Sequence, residues 1–186
     1  MTDGDGPGHE GIAPMAEPIE IDVWQGEIAE LEVDALVIGS SESLFMTGGA
    51  AASVKRLGGI EIESAAVAQG PIEPGRAVVT AGGQLAAPYV IHAVAIGHDR
   101  RADADRLRAA VHSALALCEP LRLHRIAMAP IGTEYGAFRA EEAADLLVGA
   151  ILEGAAPPLE SIVVAVAHPN EARAVVDALA RHRASV

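Results

Sequence analysis

Two glycine-bearing stretches hold the residue types from which an anion site can be built. Gly48-Gly49-Ala50-Ala51-Ala52 follows an apolar run by a few residues and leads into a helical pattern. Glycines let backbone N–H groups come close to a ligand, and a helix N-terminus adds a positive dipole end. Together these suit a phosphate and require no lysine. A second reading is open: the pair only turns the chain and lets the helix pack closely. Ala129-Pro130-Ile131-Gly132-Thr133-Glu134-Tyr135-Gly136 also lies between a strand-like run and a helical one. Its glycines, hydroxyl and amides can form another anion cradle. Two such loops on one sheet would clasp a diphosphate from both sides, which favours a nucleotide or sugar-phosphate ligand.

Other reactive types point elsewhere. Gly39-Ser40-Ser41-Glu42-Ser43 lacks the closing glycine of a nucleophile elbow. There is no CxxC and no HExxH, and the histidines show no ligand spacing, so neither a metal nor a cofactor is expected. His92, inside a strand-like run, reads as a hydrogen-bonded core histidine. Cys118 lies on an apolar helical face and reads as packing, not as a nucleophile.

The elements that must position these loops alternate along the chain. Ile19–Trp24 alternates apolar and polar residues, the pattern of a half-buried strand. Ala35–Ile38 is a continuous apolar run, expected of a central strand. Ala50–Leu57 and Ile60–Gln69 read as helices separated by Gly58-Gly59. Ala77–Thr80 and Tyr89–Val94 read as strands, and Asp103–Cys118 as a helix with Leu107, Val111, Ala114, Leu115 and Cys118 on one face. Arg125–Met128 and Ser161–Val166 complete the strands; Ala140–Leu152 and Asn170–Arg181 complete the helices. This succession predicts an α/β layer structure with a mostly parallel sheet. Ligands of such sheets bind beyond the carboxyl ends of the strands, so the loops after Ile38, Val94, Met128 and Val166 are the expected site.

Length and charge bound the rest. The 186 residues suit one domain, expected over 18–186, after an acidic Gly- and Pro-rich leader over 1–17 that reads as disordered. Thirteen Lys and Arg against 26 Asp and Glu give a net charge of −13, and Lys55 is the only lysine. That balance argues against duplex nucleic acid and anionic membranes as partners. With no secretion signal and no long apolar run, a cytoplasmic protein is expected. The sequence leaves the oligomeric state open.

These residues, in this order, resemble a macrodomain, the family that binds ADP-ribose. The resemblance runs through Gly26-Glu27-Ile28, Val33-Asp34-Ala35-Leu36-Val37, the first glycine loop, and Pro74-Gly75-Arg76-Ala77-Val78-Val79-Thr80-Ala81-Gly82-Gly83-Gln84-Leu85. It continues through Tyr89-Val90-Ile91-His92-Ala93-Val94 and Pro130-Ile131-Gly132-Thr133, covering roughly Ile19 to Leu179. It implies a three-layer α/β/α sandwich with a mixed sheet. It also implies that Glu27 and Ile28 hold adenine, that Gly48, Gly49 and Ala50 form one pyrophosphate loop, and that Gly132, Thr133, Glu134, Tyr135 and Gly136 form the other. Ser41 matches the asparagine that contacts the distal ribose, and His168 is placed to cover the adenine face, with Pro169 or Asn170 as alternatives. The chain departs from the pattern at four places: Glu27 replaces aspartate, Ser41 replaces asparagine, Ala51 stands near a carboxylate carried by some hydrolytic members, and Glu134 replaces glycine. Three readings follow. The domain binds ADP-ribose or a related ligand; or it removes ADP-ribose from a modified protein, with water activated by the ligand's phosphate or by Glu134 as the catalytic group; or it is a degenerate member with a structural or protein-partner role.

Overall fold

The computed structural model describes residues 19–99, 101, 103–133 and 138–184. The expected leader and the loop residues Glu134, Tyr135 and Gly136 therefore lie outside the described residues. One six-stranded sheet organises the chain. In chain order the elements are β1 (Glu20–Gln25), a 3-10 turn (Ile28–Glu30), β2 (Ala35–Ser41), α1 (Gly49–Gly58), α2 (Ile60–Val67), β3 (Arg76–Ala81) and β4 (Tyr89–Ile96). There follow α3 (Ala104–Ala116), α4 (Cys118–Leu121), β5 (Arg125–Met128), α5 (Ala140–Gly154), β6 (Ser161–Val166) and α6 (Pro169–Ala184).

The strand order is β1-β6-β5-β2-β4-β3. The first five run parallel, and β3 returns antiparallel to β4. The sheet is thus mixed, as the resemblance implied. Strand residues alternate between its faces. Ala35, Val37, Ile91, Ala93, Ile126, Met128, Ile162 and Val164 pack in the cluster shared with α3, α5 and α6. Leu36, Ile38, Val90, Ala127, Val163 and Ala165 pack in the opposite cluster, with Val54 of α1 and Ile62 of α2. Both faces of the central strands are therefore covered, which is why they are apolar without interruption. Each fully buried Leu or Ile contributes roughly 1.5–3 kcal/mol by leaving water.

The helix expected to run through Cys118 ends at Ala116, and α4 makes a separate turn that closes at Arg122 with φ 54°. Asp103 is the N-cap of α3, its carboxylate accepting from Arg106 N at 2.8 Å. Asp34 accepts from His124 N at 2.7 Å and Arg125 N at 2.8 Å, tying the entry of β5 to that of β2. Gly59, at φ 105°, separates α1 from α2 where the glycine pair predicted a break. Among the described residues, no helix is long and apolar enough to cross a membrane.

Candidate functional site

A cleft of about 540 Å³ opens along the C-terminal ends of the five parallel strands. Gly26, after β1, and Ala165 and His168, at the end of β6, line one end. Ala129 and Pro130, after β5, lie in the middle. Ser40 and Ser41 of β2 and Ile96 of β4 line the other end. Neighbouring strands sit ~4.8 Å apart, so the path from β1 to β4 is about 19 Å long. That is room for a ligand with two end groups joined by a linker.

Gly48, Gly49, Ala50 and Ala51 bring the start of α1 to the cleft. Gly49 has φ +53°, the left-handed region that an L side chain rarely adopts. Among the described residues no side chain caps this helix, and its first turn holds no acidic residue. Its leading N–H groups have no intrahelical acceptor, so they and the dipole form a positive end facing the cleft.

The approach to this turn is anchored on both sides of one exposed aromatic. Leu44 is buried at φ 60°, and Met46 is buried, while Phe45 between them is 56% exposed on the cleft. Glu63 of α2 accepts from Met46 N at 2.6 Å and Lys55 Nζ at 2.9 Å. Burial by itself would raise the Glu63 pKa, but these two hydrogen bonds and the Lys55 charge together bring it below the ordinary carboxylate value. The single lysine is thus engaged beneath the loop, and no Lys or Arg lines the cleft among the described residues. Among the described residues, the hydrogen-bond donors that line the cleft are therefore backbone N–H groups, hydroxyls and the His168 ring.

At the β1 end, Glu27 stands before the 3-10 turn and Ile28 is buried beneath it. The Glu27 carboxylate accepts from Ser53 Oγ at 2.8 Å and pairs with Arg56. His168 is exposed on the cleft wall, and Glu171 accepts from Ala167 N at 3.2 Å and His168 N at 3.0 Å. At the other end, Ser41 shares a hydrogen bond with Ser43, Oγ to Oγ, at 3.2 Å.

Of the residues singled out from the sequence, Glu27, Ile28, Ser41, Gly48, Gly49, Ala50, Thr133 and His168 therefore line one cleft. Gly132 is buried one residue behind Thr133, and a Cβ on it would meet Leu107 Cδ1 at 2.7 Å and Phe138 Cδ2 at 2.9 Å. Glu134, Tyr135 and Gly136 lie outside the described residues. Sequence reasoning missed Phe45, Thr47, Ser53, Ile96 and Glu171 as lining residues. The signal for Ser53 is its spacing from Arg56: residues three apart share a helix face.

His92 and Cys118 are away from the cleft. His92 is fully buried on β4, its Nε2 3.1 Å from Thr80 Oγ1, and its Nδ1 has no hydrogen-bond partner among the described residues. Burial lowers its pKa to about 4, so the ring is neutral at pH 7. Cys118 is buried, and burial, with the nearby Asp34 charge, raises its thiol pKa to about 11. It is packing, as expected. Among the described residues, no group of three or more His, Cys, Asp or Glu is placed to hold a metal.

Comparison with known proteins adds relatives to this geometry. A family model described as "Macro domain" matches residues 38–147. An uncharacterised protein of Mycobacterium tuberculosis is 33% identical over 148 residues, 80% of this chain, and the chain spans 41% of that relative's length. A macro domain-containing protein of Cupriavidus necator is 37% identical over 151 residues, 76% of this chain and 87% of the relative. The mouse ADP-ribose glycohydrolase MACROD1 is 33% identical over 137 residues, 72% of this chain and 42% of that protein. A Trypanosoma brucei macrodomain solved in complex with ADP-ribose superposes with a TM-score of 0.78 at 22% identity, covering 88% of this chain and 72% of that one.

Proposed function

The chain belongs to the macro domain family, and from that premise we propose that its cleft binds ADP-ribose or a closely related adenosine diphosphate ligand. The observation that carries the reading is the cleft itself. It crosses five strand ends, and it is lined by the start of α1, which no side chain caps among the described residues, and by the Glu27 carboxylate. In this reading Glu27 and Ile28 take adenine, with His168 beside its face. The N–H groups of Gly48, Gly49 and Ala50 take the pyrophosphate from one side, and the loop of Gly132, Thr133, Glu134, Tyr135 and Gly136 takes it from the other. Ser41 meets the distal ribose. A hydrogen bond to a charged group contributes roughly 1.5–3 kcal/mol, so several amides on one pyrophosphate outweigh the diffuse repulsion of a net charge of −13. The Trypanosoma brucei structure with ADP-ribose bound supports the ligand class.

Isothermal titration with ADP-ribose, with ADP and AMP as controls, tests the reading. Saturable binding, tighter for ADP-ribose than for ADP, is expected, and Gly49→Trp should abolish it by filling the phosphate turn. A folded wild type that binds none of the three, or a Gly49→Trp variant of unchanged affinity, would sink the proposed pose.

A second reading, removal of ADP-ribose from a modified protein, is favoured by the name and 33% identity of the mouse relative. Water would then be activated by the ligand's phosphate or by Glu134. Release of ADP-ribose from modified protein by the wild type, slowed in Glu134→Gln, is the matching assay.

A further inference from the structure

Among the described residues, two side chains donate to the Glu27 carboxylate; both come from α1, and both end on the same oxygen. Ser53 Oγ donates to Oε2 at 2.8 Å, and Arg56 Nη2 donates to Oε2 as well. The other oxygen, Oε1, has no hydrogen-bond partner among the described residues. Ser53 and Arg56 stand three residues apart on one helical face, and Ser53 itself lines the cleft. The same helix begins at Gly49, four residues before Ser53.

This arrangement does little for the fold. The Arg56 and Glu27 side chains are 58% and 48% exposed. Ion pairs so exposed contribute little to stability, because water and salt screen them and two long side chains lose freedom in forming them. Its consequence lies in the direction of Glu27. A flexible glutamate loses rotamer freedom when it grips a ligand, and a side chain held in place beforehand has already lost it. With Oε2 occupied, Oε1 is the acceptor left for the cleft. A carboxylate oxygen takes an N–H and repels a carbonyl oxygen.

We infer that Ser53 and Arg56 are positioning residues that hold Glu27 with Oε1 as its free acceptor, and so make the cleft prefer a 6-aminopurine over a 6-oxopurine. The inference rests on the binding reading above and adds to it. One rigid helix carries both the phosphate turn at its start and the two donors that aim the base-reading carboxylate. Base choice and phosphate binding are thereby linked through α1.

The test is titration of the wild type with ADP-ribose and with its analogue carrying hypoxanthine in place of adenine, repeated for Ser53→Ala/Arg56→Ala and for Arg56→Lys. Wild type should favour the adenine ligand by about tenfold or more, the ratio that one hydrogen bond to a charged group provides. The double variant should lose most of that preference by binding ADP-ribose about tenfold more weakly. Its affinity for the hypoxanthine ligand should not fall below the wild-type value, and its thermal midpoint should be unchanged. Arg56→Lys keeps a donor for Oε2 and should retain the preference. A double variant with the wild-type ratio overturns the inference, and so does equal weakening for both ligands, which would mark simple structural support. Failure of the folded wild type to bind either ligand overturns the binding reading itself.

Discussion

Gly48–Gly49 and Gly132 are glycines of two loops that each follow a parallel strand, and their surroundings are opposite. The pair is exposed, and a Cβ on either residue would meet no atom within 4 Å. Gly132 is buried at φ +91°, and a Cβ there would press on Leu107 and Phe138 at under 3 Å. The backbone of the first loop is laid bare toward the cleft. At the second, the missing side chain makes room for the core, while Phe138 N donates to Gly132 O at 3.2 Å across the base of the loop. The same residue type thus meets open space in one loop and close packing in the other. The histidines divide likewise: His168 is exposed on the cleft, and His92 is sealed in the sheet.

The sharpest test of this contrast is Gly132→Ala. A positive φ costs a side-chain-bearing residue about 1–3 kcal/mol, and overpacking costs about as much again. Chemical denaturation should show a loss of about 3–4 kcal/mol. A loss under about 1 kcal/mol, the scale of an ordinary substitution, would mean that the packing around Gly132 yields easily.

The buried histidine gives the next largest effect, through pH. Its pKa falls from 6.5 to about 4 because burial disfavours the charged ring. Below pH 6.5 the unfolded chain takes up a proton that the folded chain refuses until about pH 4. Stability from this group is therefore complete above pH 6.5 and is lost as pH falls toward 4, by about 3 kcal/mol in all. Unfolding free energies from denaturation at pH 7 and pH 5 should already differ by about 2 kcal/mol, and His92→Gln should flatten that difference. An equal slope in the variant would assign the pH dependence to other groups.

Gly48→Ala should have the smallest effect on the fold and still separate the two loops. Gly48 has φ −158°, which any residue adopts, and its Cβ direction is open. Stability should change by no more than about 0.5 kcal/mol, while ADP-ribose affinity should fall about tenfold, roughly 1.4 kcal/mol, as the methyl group enters the turn proposed to hold phosphate. Unchanged affinity would mean that the open space at the pair is not where the ligand sits.

Much of the fold was legible because its period is strong. Each strand expected from an apolar or alternating run is present, and the α1–α2 break falls at Gly58-Gly59 as predicted. The 3-10 turn of three residues and the four-residue α4 were not legible, since elements that short carry no periodicity. For the cleft, Glu27, Gly48, Gly49 and His168 came from motif and resemblance. Phe45 and Ile96 carried no such mark: an apolar residue that lines a cleft has the same chemistry as one that fills a core. Glu171 was hidden for another reason. It lies three residues past His168, inside a helix, and only the turn back at the start of α6 brings it to the cleft.

The sequence by itself determined the strands and the longer helices and which side of each would be buried, because hydrophobic spacing is a local property that neighbouring residues record. Residues Ala35 to Ile38 announce a strand covered on both faces wherever they are placed. Only the tertiary structure decided the direction in which polar groups face. It turned β3 antiparallel at the sheet's edge, engaged the single lysine beneath the loop with Glu63, and brought Ser53 and Arg56 to one oxygen of Glu27 across 26 and 29 residues of chain. Such contacts join residues far apart in sequence. No periodicity or composition within either segment encodes the other's position, so they exist only once the sheet has gathered its strand ends along one edge.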